Sequence, residues 1–250
     1  MSTDASGGQS FPDIQGGGSL IVAWQVKGKH ALVVGGGSVA TSRVAHLLVA
    51  DALVTVICPT DGLSDELQYR VLKSKIKHVP RKFDVTTDLA GEQLPAVVMV
   101  AVDDPVASTQ IYIACKRLRV PVNIADVPPE CDFYFGSMYR DGPLQVMVST
   151  NGNGPKMANV VRRKIEHELK REPLGDAIDK LGRLRTRVRE AIPGNEKADI
   201  RRRMKWVSQL SESWTIGSIA KLNDSLIDEV VRYIDQDPPT YETVISSLNP

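Results

Sequence analysis

Residues whose types and spacing suit chemistry gather in three stretches. The first is "VVGGGSVA", residues 33–40, with G-x-G-x-x-A at Gly35, Gly37 and Ala40. Between a strand and a helix, the first glycine makes the tight turn and the second lets the backbone approach a pyrophosphate. Ala40 permits close helix packing, and the first helical turn turns its N–H groups to the phosphates. Gly35, Gly36, Gly37, Ser38, Val39 and Ala40 are candidate dinucleotide contacts, with a ligand-free glycine turn as the alternative. "VAVDDP" adds Asp103 as a further cofactor candidate, while Asp104 before Pro105 suits a helix cap.

The second stretch is "NIADVPPECDFYFG", residues 123–136. A β-like run ends on Asp126, and Pro128 and Pro129 then forbid the helix that would normally follow. Open α/β sheets bind ligands at the carboxyl ends of their strands, so Asp126 reads either as a catalytic carboxylate or as the cap of a turn. Cys131 and Phe133 to Phe135 read as packing.

The third stretch is basic. Lys and Arg are dense from Lys156 to Arg203, which fits solvated helix faces or an anion-binding wall. Just before it, "STNGNGP" places hydroxyls and glycines ahead of a helix, as an ordinary N-cap loop would.

The elements that must position these residues follow from periodicity. "HALVVGGG", "LVTVIC", "AVVMVAV" and "VPVNIA" are short, apolar and bounded by turn residues, as buried strands are. Helical segments lie between them, among them one with Ala40, Val44, Leu47 and Leu48 on one face. Alternating strands and helices predict a Rossmann-like parallel sheet over 20–135. "FYFGSMYRDGPLQVMVST" predicts a hairpin turning at Asp141-Gly142. From Pro155 the chain reads as helix, with an apolar stripe at Ala177, Ile178, Leu181, Leu184 and Val188 and further helices near 199–210 and 218–234. Residues 1–19 read as a flexible tail, 136–168 as a separate region and 169–250 as a helical domain.

One element of the dinucleotide pattern is out of place. The second strand should end on an acid that binds the adenosine ribose, but Cys58-Pro59-Thr60 stands there and Asp61 comes three residues late. NAD with imperfect discrimination against NADP is the expectation.

Composition excludes several classes. A net charge of +1 gives no general affinity for nucleic acid or membranes, and no apolar run is long enough for a transmembrane helix. Three unpaired-looking cysteines fit a reducing, cytoplasmic setting, and four scattered histidines offer no metal-ligand spacing, so no protein metal site is expected.

"VVGGGSVA", "NIADVPPECDFYFG" and "LQVMVSTNGNGPKMANVVRRKIEHEL" together resemble the fungal bifunctional siroheme synthases, precorrin-2 dehydrogenase/sirohydrochlorin ferrochelatase, from about Leu20 to Ile234. The resemblance implies that Asp126 is the carboxylate shared by both reactions and that Gly35 to Ala40 bind NAD. It implies tetrapyrrole substrates, precorrin-2 and sirohydrochlorin, with Fe2+ as a further substrate rather than a resident metal. The loop at Ser149, Thr150 and Asn151 would border the tetrapyrrole cleft, and Arg140, Lys156, Arg162 and Arg163 are candidate partners for the substrate's carboxylates. A homodimer built through the 136–168 region is implied as well. A dehydrogenase-only relative and a non-catalytic NAD-binding sensor are the alternatives.

Overall fold

The computed structural model describes residue 14, residues 16–91 and residues 93–248, so most of the expected tail lies outside the described residues. The chain divides into two compact units, Met1–Tyr134 and Phe135–Pro250.

The first unit holds a five-stranded parallel sheet of order β3-β2-β1-β4-β5. Its strands are β1 (His30–Val34), β2 (Leu53–Ile57), β3 (Lys77–Val79), β4 (Val97–Val100) and β5 (Val122–Ile124). Helices α1 (Ser38–Val49), α2 (Asp65–Leu72), α3 (Val85–Asp88) and α4 (Pro105–Leu118) connect them. β1 pairs with β2 on one side and β4 on the other, Val34 lying opposite Ile57 and Val100. The order therefore reverses between β1 and β4, the position at which open α/β sheets bind ligands at their strands' carboxyl ends. All four residues of β4 are buried, as a strand covered on both faces requires.

Local chemistry sets the helix bounds. The Asp104 carboxylate accepts the Ala107 N–H at 3.0 Å and Pro105 follows at the first helical position, so α4 starts there. It stops at Arg119, whose φ of 56° is left-handed. On α1, Ala40, Val44 and Leu47 are buried, while Leu48 is only partly so.

The second unit begins with the antiparallel hairpin β6 (Ser137–Asp141) and β7 (Leu144–Val148). The turn is one residue later than expected. Asp141 still pairs with Leu144, leaving Gly142 (φ 53°) and Pro143 as the loop. Freed from the turn, the Asp141 carboxylate accepts the Gly175 N–H at 2.9 Å. That bond ties the hairpin to α6, and the compact units do not divide near 168. The helices are α5 (Pro155–Leu169), α6 (Leu174–Ala191), α7 (Lys197–Ser213), α8 (Ile216–Ala220), α9 (Asp224–Val231) and α10 (Tyr241–Leu248).

Helix was expected unbroken over 218–234. Instead Asn223 accepts the Leu226 N–H at 2.9 Å and starts a new helix, separating α8 from α9. The core of this unit joins Ala177, Leu184 and Val188 of α6 to Trp206 and Leu210 of α7 and Ile227 and Val230 of α9. Ile178 falls beside that stripe and is 37% exposed.

Candidate functional site

The β1–α1 turn shows three consecutive glycines doing different work. Gly35 has φ 112°, and a Cβ there would meet the Ala101 carbonyl oxygen at 2.1 Å. At Gly36 a Cβ would meet the Gly62 carbonyl oxygen at 2.4 Å and the Cys58 Sγ at 2.7 Å. Gly37 faces open space, with no heavy atom within 4 Å of an added Cβ. Gly35, Gly36 and Ala40 are buried and shape the turn, while Gly37, Ser38 and Val39 are exposed along its open side. Gly37 caps α1, with neither a side-chain cap nor an acidic residue in the first turn. The orphan N–H groups and positive end of the helix are thereby left for an anion.

The loop after β2 folds back onto this turn. A 3-10 turn at Thr60–Gly62 and a bond from Ser64 N–H to the Gly36 carbonyl (2.9 Å) hold the two loops together. The hydroxyls of Thr41 and Ser64 lie 2.7 Å apart and lock α1 to the start of α2. Asp61 lies in this curl beside Gly62, whose carbonyl backs onto Gly36; burial pushes the Cys58 thiol up and the nearby Asp61 charge pushes it further.

β4 and β5 contribute the other wall. Ala101 N–H bonds the Val34 carbonyl at 2.8 Å, and Ala125 N–H bonds the Val100 carbonyl at 2.9 Å, so the ends of β1, β4 and β5 are kept level. Asp103 is exposed just past β4. Asp126 follows β5 with φ 61°, a conformation uncommon outside glycine but tolerated by Asp. It is exposed, and among the described residues its carboxylate accepts no hydrogen bond. It caps no turn there.

What holds Asp126 in place is the chain after it. Pro128–Glu130 form a 3-10 turn in place of a helix. The chain then returns to β5: Asp132 N–H bonds the Val122 carbonyl at 2.9 Å, and the Asp132 carboxylate accepts the Val122 N–H at 3.0 Å. The buried Asn123 amide donates to the Phe133 carbonyl at 2.9 Å. Cys131 Sγ donates to the Ile124 carbonyl at 3.1 Å, and Phe133 meets Trp24 edge to face at 5.5 Å. The loop is closed at its neck, with Asp126 on its exposed shoulder.

Arg43, a residue the sequence reading passed over, belongs to the same place. It is half-buried on α1, and burial lowers its pKa while the Cys131 thiol and the Asp126 carboxylate raise it. Its signal was available: an arginine three residues after Ala40 and one before Val44 interrupts an apolar face.

The remaining candidates lie in the second unit. Ser149 Oγ accepts the Asn151 N–H at 3.1 Å, Thr150 Oγ1 accepts the Gly154 N–H at 3.2 Å, and Asn151 has φ 51°. Each hydroxyl accepts a bond that folds the loop on itself. Arg140 and Arg162 share a groove of about 430 Å³ with Lys170 and the acids Asp141, Glu166 and Glu172. Arg162 is ion-paired with Glu166, whose carboxylate, held low chiefly by Lys170, also meets that lysine at 2.6 Å. Lys156 and Arg163 are exposed on α5, outside that groove. Among the described residues no cluster of His, Cys, Asp or Glu could hold a metal ion, and no helix is long and apolar enough to cross a membrane.

Three family models match the chain in series: an NAD(P)-binding family over residues 22–137, the central region of sirohaem biosynthesis proteins over 141–168 and their C-terminal region over 172–238. Siroheme biosynthesis protein met8 of Schizosaccharomyces pombe is 43% identical over 234 residues, covering 94% of this chain and 86% of its own. A siroheme synthase of Thioalkalivibrio sulfidiphilus is 37% identical over 145 residues, 58% of this chain but only 28% of that longer protein. The solved structure of SirC, precorrin-2 dehydrogenase, is similar in fold with a TM-score of 0.61, covering 92% of this chain and 99% of that one at 19% identity. With its glycine turn, strand-end carboxylate and matches along nearly the whole length, the chain belongs to the family of siroheme biosynthesis proteins.

Proposed function

We propose that the protein carries out two successive steps: NAD-dependent dehydrogenation of precorrin-2 to sirohydrochlorin, then insertion of Fe2+ to give siroheme. One observation carries this reading. A carboxylate with no structural hydrogen bond, Asp126, stands at the same sheet edge as an open, uncapped glycine turn.

The residues at that turn fit a dinucleotide. Gly37 leaves room for a pyrophosphate, the N–H groups of Ser38, Val39 and Ala40 point to it, and Asp61 and Asp103 lie at the rim for the rest of the molecule. When bound, NAD+ supplies the hydride acceptor. Asp126 accepts the proton that leaves the macrocycle as the hydride departs. In the second step Fe2+ enters as a substrate and two pyrrole protons must leave; Asp126 takes them in turn and passes them to water. The tetrapyrrole provides the four nitrogens that hold the iron, so the protein needs no ligand cluster of its own.

Arg140, Lys156, Arg162 and Arg163, with the 149–151 loop, are the proposed contacts to the carboxylates of the substrate. Lys156 and Arg163 are the better placed for it, because Arg162 already has Glu166. Residues 20–135 form the proposed nucleotide-binding domain, 136–168 the dimerisation region and 169–250 the helical domain. A homodimer through the second of these is supported by apolar surface on one face of α5, where Met157, Val160 and Val161 are 59%, 39% and 37% exposed. Three free cysteines suit a reducing, cytoplasmic setting.

The test is to incubate purified protein with precorrin-2, NAD+ and Fe2+ and follow the absorbance of sirohydrochlorin and siroheme. Both products are expected. Sirohydrochlorin alone would make it a dehydrogenase only, and NAD+ binding without turnover would make it a sensor.

A further inference from the structure

Among the described residues, two side-chain bonds tie the segment after Asp126 to α4, and they sit at opposite ends of that helix. Near its last turn, Lys116 meets Asp132 at 2.5 Å, and Asp132 also holds the Val122 N–H at the start of β5. About two turns earlier on the same helix face, the Thr109 hydroxyl donates to Glu130 Oε1 at 2.8 Å in a partly buried bond. Because α4 starts where β4 ends, the Thr109 bond lies toward the strands' carboxyl ends, where Asp126 stands.

Glu130 has a second oxygen, Oε2, that is shielded from solvent and has no hydrogen-bond partner. A buried carboxylate oxygen left unpaired is destabilising. An apolar side chain of the same length would avoid that cost, and what glutamate offers instead is the bond to Thr109. The link from this bond to Asp126 is covalent and stiff. Pro128 and Pro129 fix φ at two of the three positions between Asp126 and Glu130, and the Glu130 N–H bonds the Val127 carbonyl at 3.0 Å. A shift at Glu130 therefore passes to Asp126 instead of being absorbed on the way.

We propose that Glu130 is a positioning residue: latched to Thr109, it fixes the 3-10 turn and, through the two prolines, the place of the Asp126 carboxylate. The inference rests on Asp126 being the base of both reactions. Glu130 acts through the oxygen that accepts the bond and not through its charge. The Lys116–Asp132 pair, at the other end of α4, contributes to stability alone.

Kinetics of the full-length protein separate these roles. Glu130→Met should lower kcat of dehydrogenation and of iron insertion alike, by roughly three- to tenfold, the range that one hydrogen bond commands. The precorrin-2 KM and the calorimetric NAD+ affinity should change by less than about twofold. Glu130→Gln, whose amide oxygen still accepts from Thr109, should keep kcat within about twofold of the parent protein. Thr109→Val should reproduce the Glu130→Met loss, and the two together should cost little more than either alone. Lys116→Met should lower the Tm with both kcat values unchanged. In the Asp126→Asn background, Glu130→Met should cost less than about twofold more. Full activity in Glu130→Met, a loss in Glu130→Gln as large as in Glu130→Met, multiplying losses in the pair with Thr109→Val, or an equal kcat loss in Lys116→Met would each overturn the latch. Should Glu130→Met not fold, Thr109→Val, which exchanges a hydroxyl for a methyl, carries the test. Full activity in Asp126→Asn would remove the base and this inference with it; an impaired Asp126→Asn beside an unimpaired Glu130→Met removes the latch alone.

Discussion

The strand ends of the first unit and the basic face of the second are built by opposite means. At the strand ends the shape is backbone against backbone: Gly35 against Ala101, Gly36 against Gly62, and Asp126 set by a loop closed at Val122. On α5 and the hairpin the prominent groups are long charged side chains, several engaged with acids such as Glu166. A backbone-built site has no slack, so one added carbon is felt in full. A charged, solvated surface shares its load, and one missing charge is partly made good by the others. Substitutions should therefore be all-or-none in the first region and graded in the second.

The glycine turn should give the largest effects, and of two different kinds. Gly35→Ala forces a left-handed alanine into a carbonyl 2.1 Å away, and thermal unfolding should show a loss of about 3 kcal/mol or more. Gly37→Asp meets no protein atom, so the fold should stand while a carboxylate fills the pyrophosphate position. Calorimetry should detect no NAD+ binding and dehydrogenation should vanish, yet supplied sirohydrochlorin should still receive iron. Loss of both activities in a folded Gly37→Asp protein would mean that the two steps share more than Asp126.

A smaller effect is expected at Asp61. The 3-10 turn that carries this acid sets its neighbour Gly62 against Gly36, and an acid near the bound ribose would repel a 2′-phosphate. Asp61→Ser should reduce the preference for NAD+ over NADP+ by about tenfold, some 1.4 kcal/mol, in direct binding measurements. An unchanged ratio would leave discrimination to other groups. Smallest are the changes on α5: Lys156→Ala and Arg163→Ala should each raise the tetrapyrrole KM about two- to fivefold, as exposed charge contacts do. A loss of 100-fold at either would make that face as exacting as the glycine turn and dissolve the contrast.

How much was legible in the sequence follows the same divide. The glycine turn, the strands β1, β2, β4 and β5 and the place of Asp126 just past a strand were readable because glycine spacing, β-branched runs and two successive prolines each act over a few residues. Asp61 could not be placed from spacing, because the 3-10 turn at Thr60–Gly62 interrupts the count along the strand. The hairpin turn slipped by one residue because Asp141 had a better bond to make with Gly175, 34 residues on, which no local pattern reveals. Arg162 looked like a free cation for want of knowing that Glu166 would face it one helical turn later, although that i,i+4 spacing was in plain view. Arg43 was missed for a related reason. The groups whose charge acts on it, Cys131 and Asp126, are distant in sequence and act on it through the fold alone.

The central claim is that one carboxylate serves both reactions, and Asp126→Asn tests it most directly. Alanine at this position would add about 1–2 kcal/mol of left-handed backbone strain at φ 61°, mixing a folding defect with a chemical one. Asparagine accepts that conformation as well as aspartate does and keeps its size, but it cannot take a proton at neutral pH. With NAD+ affinity and oligomeric state unchanged, the account predicts that dehydrogenation of precorrin-2 and iron insertion into supplied sirohydrochlorin both fall by about 10²- to 10⁴-fold. Near-normal rates for both in the asparagine protein would contradict it.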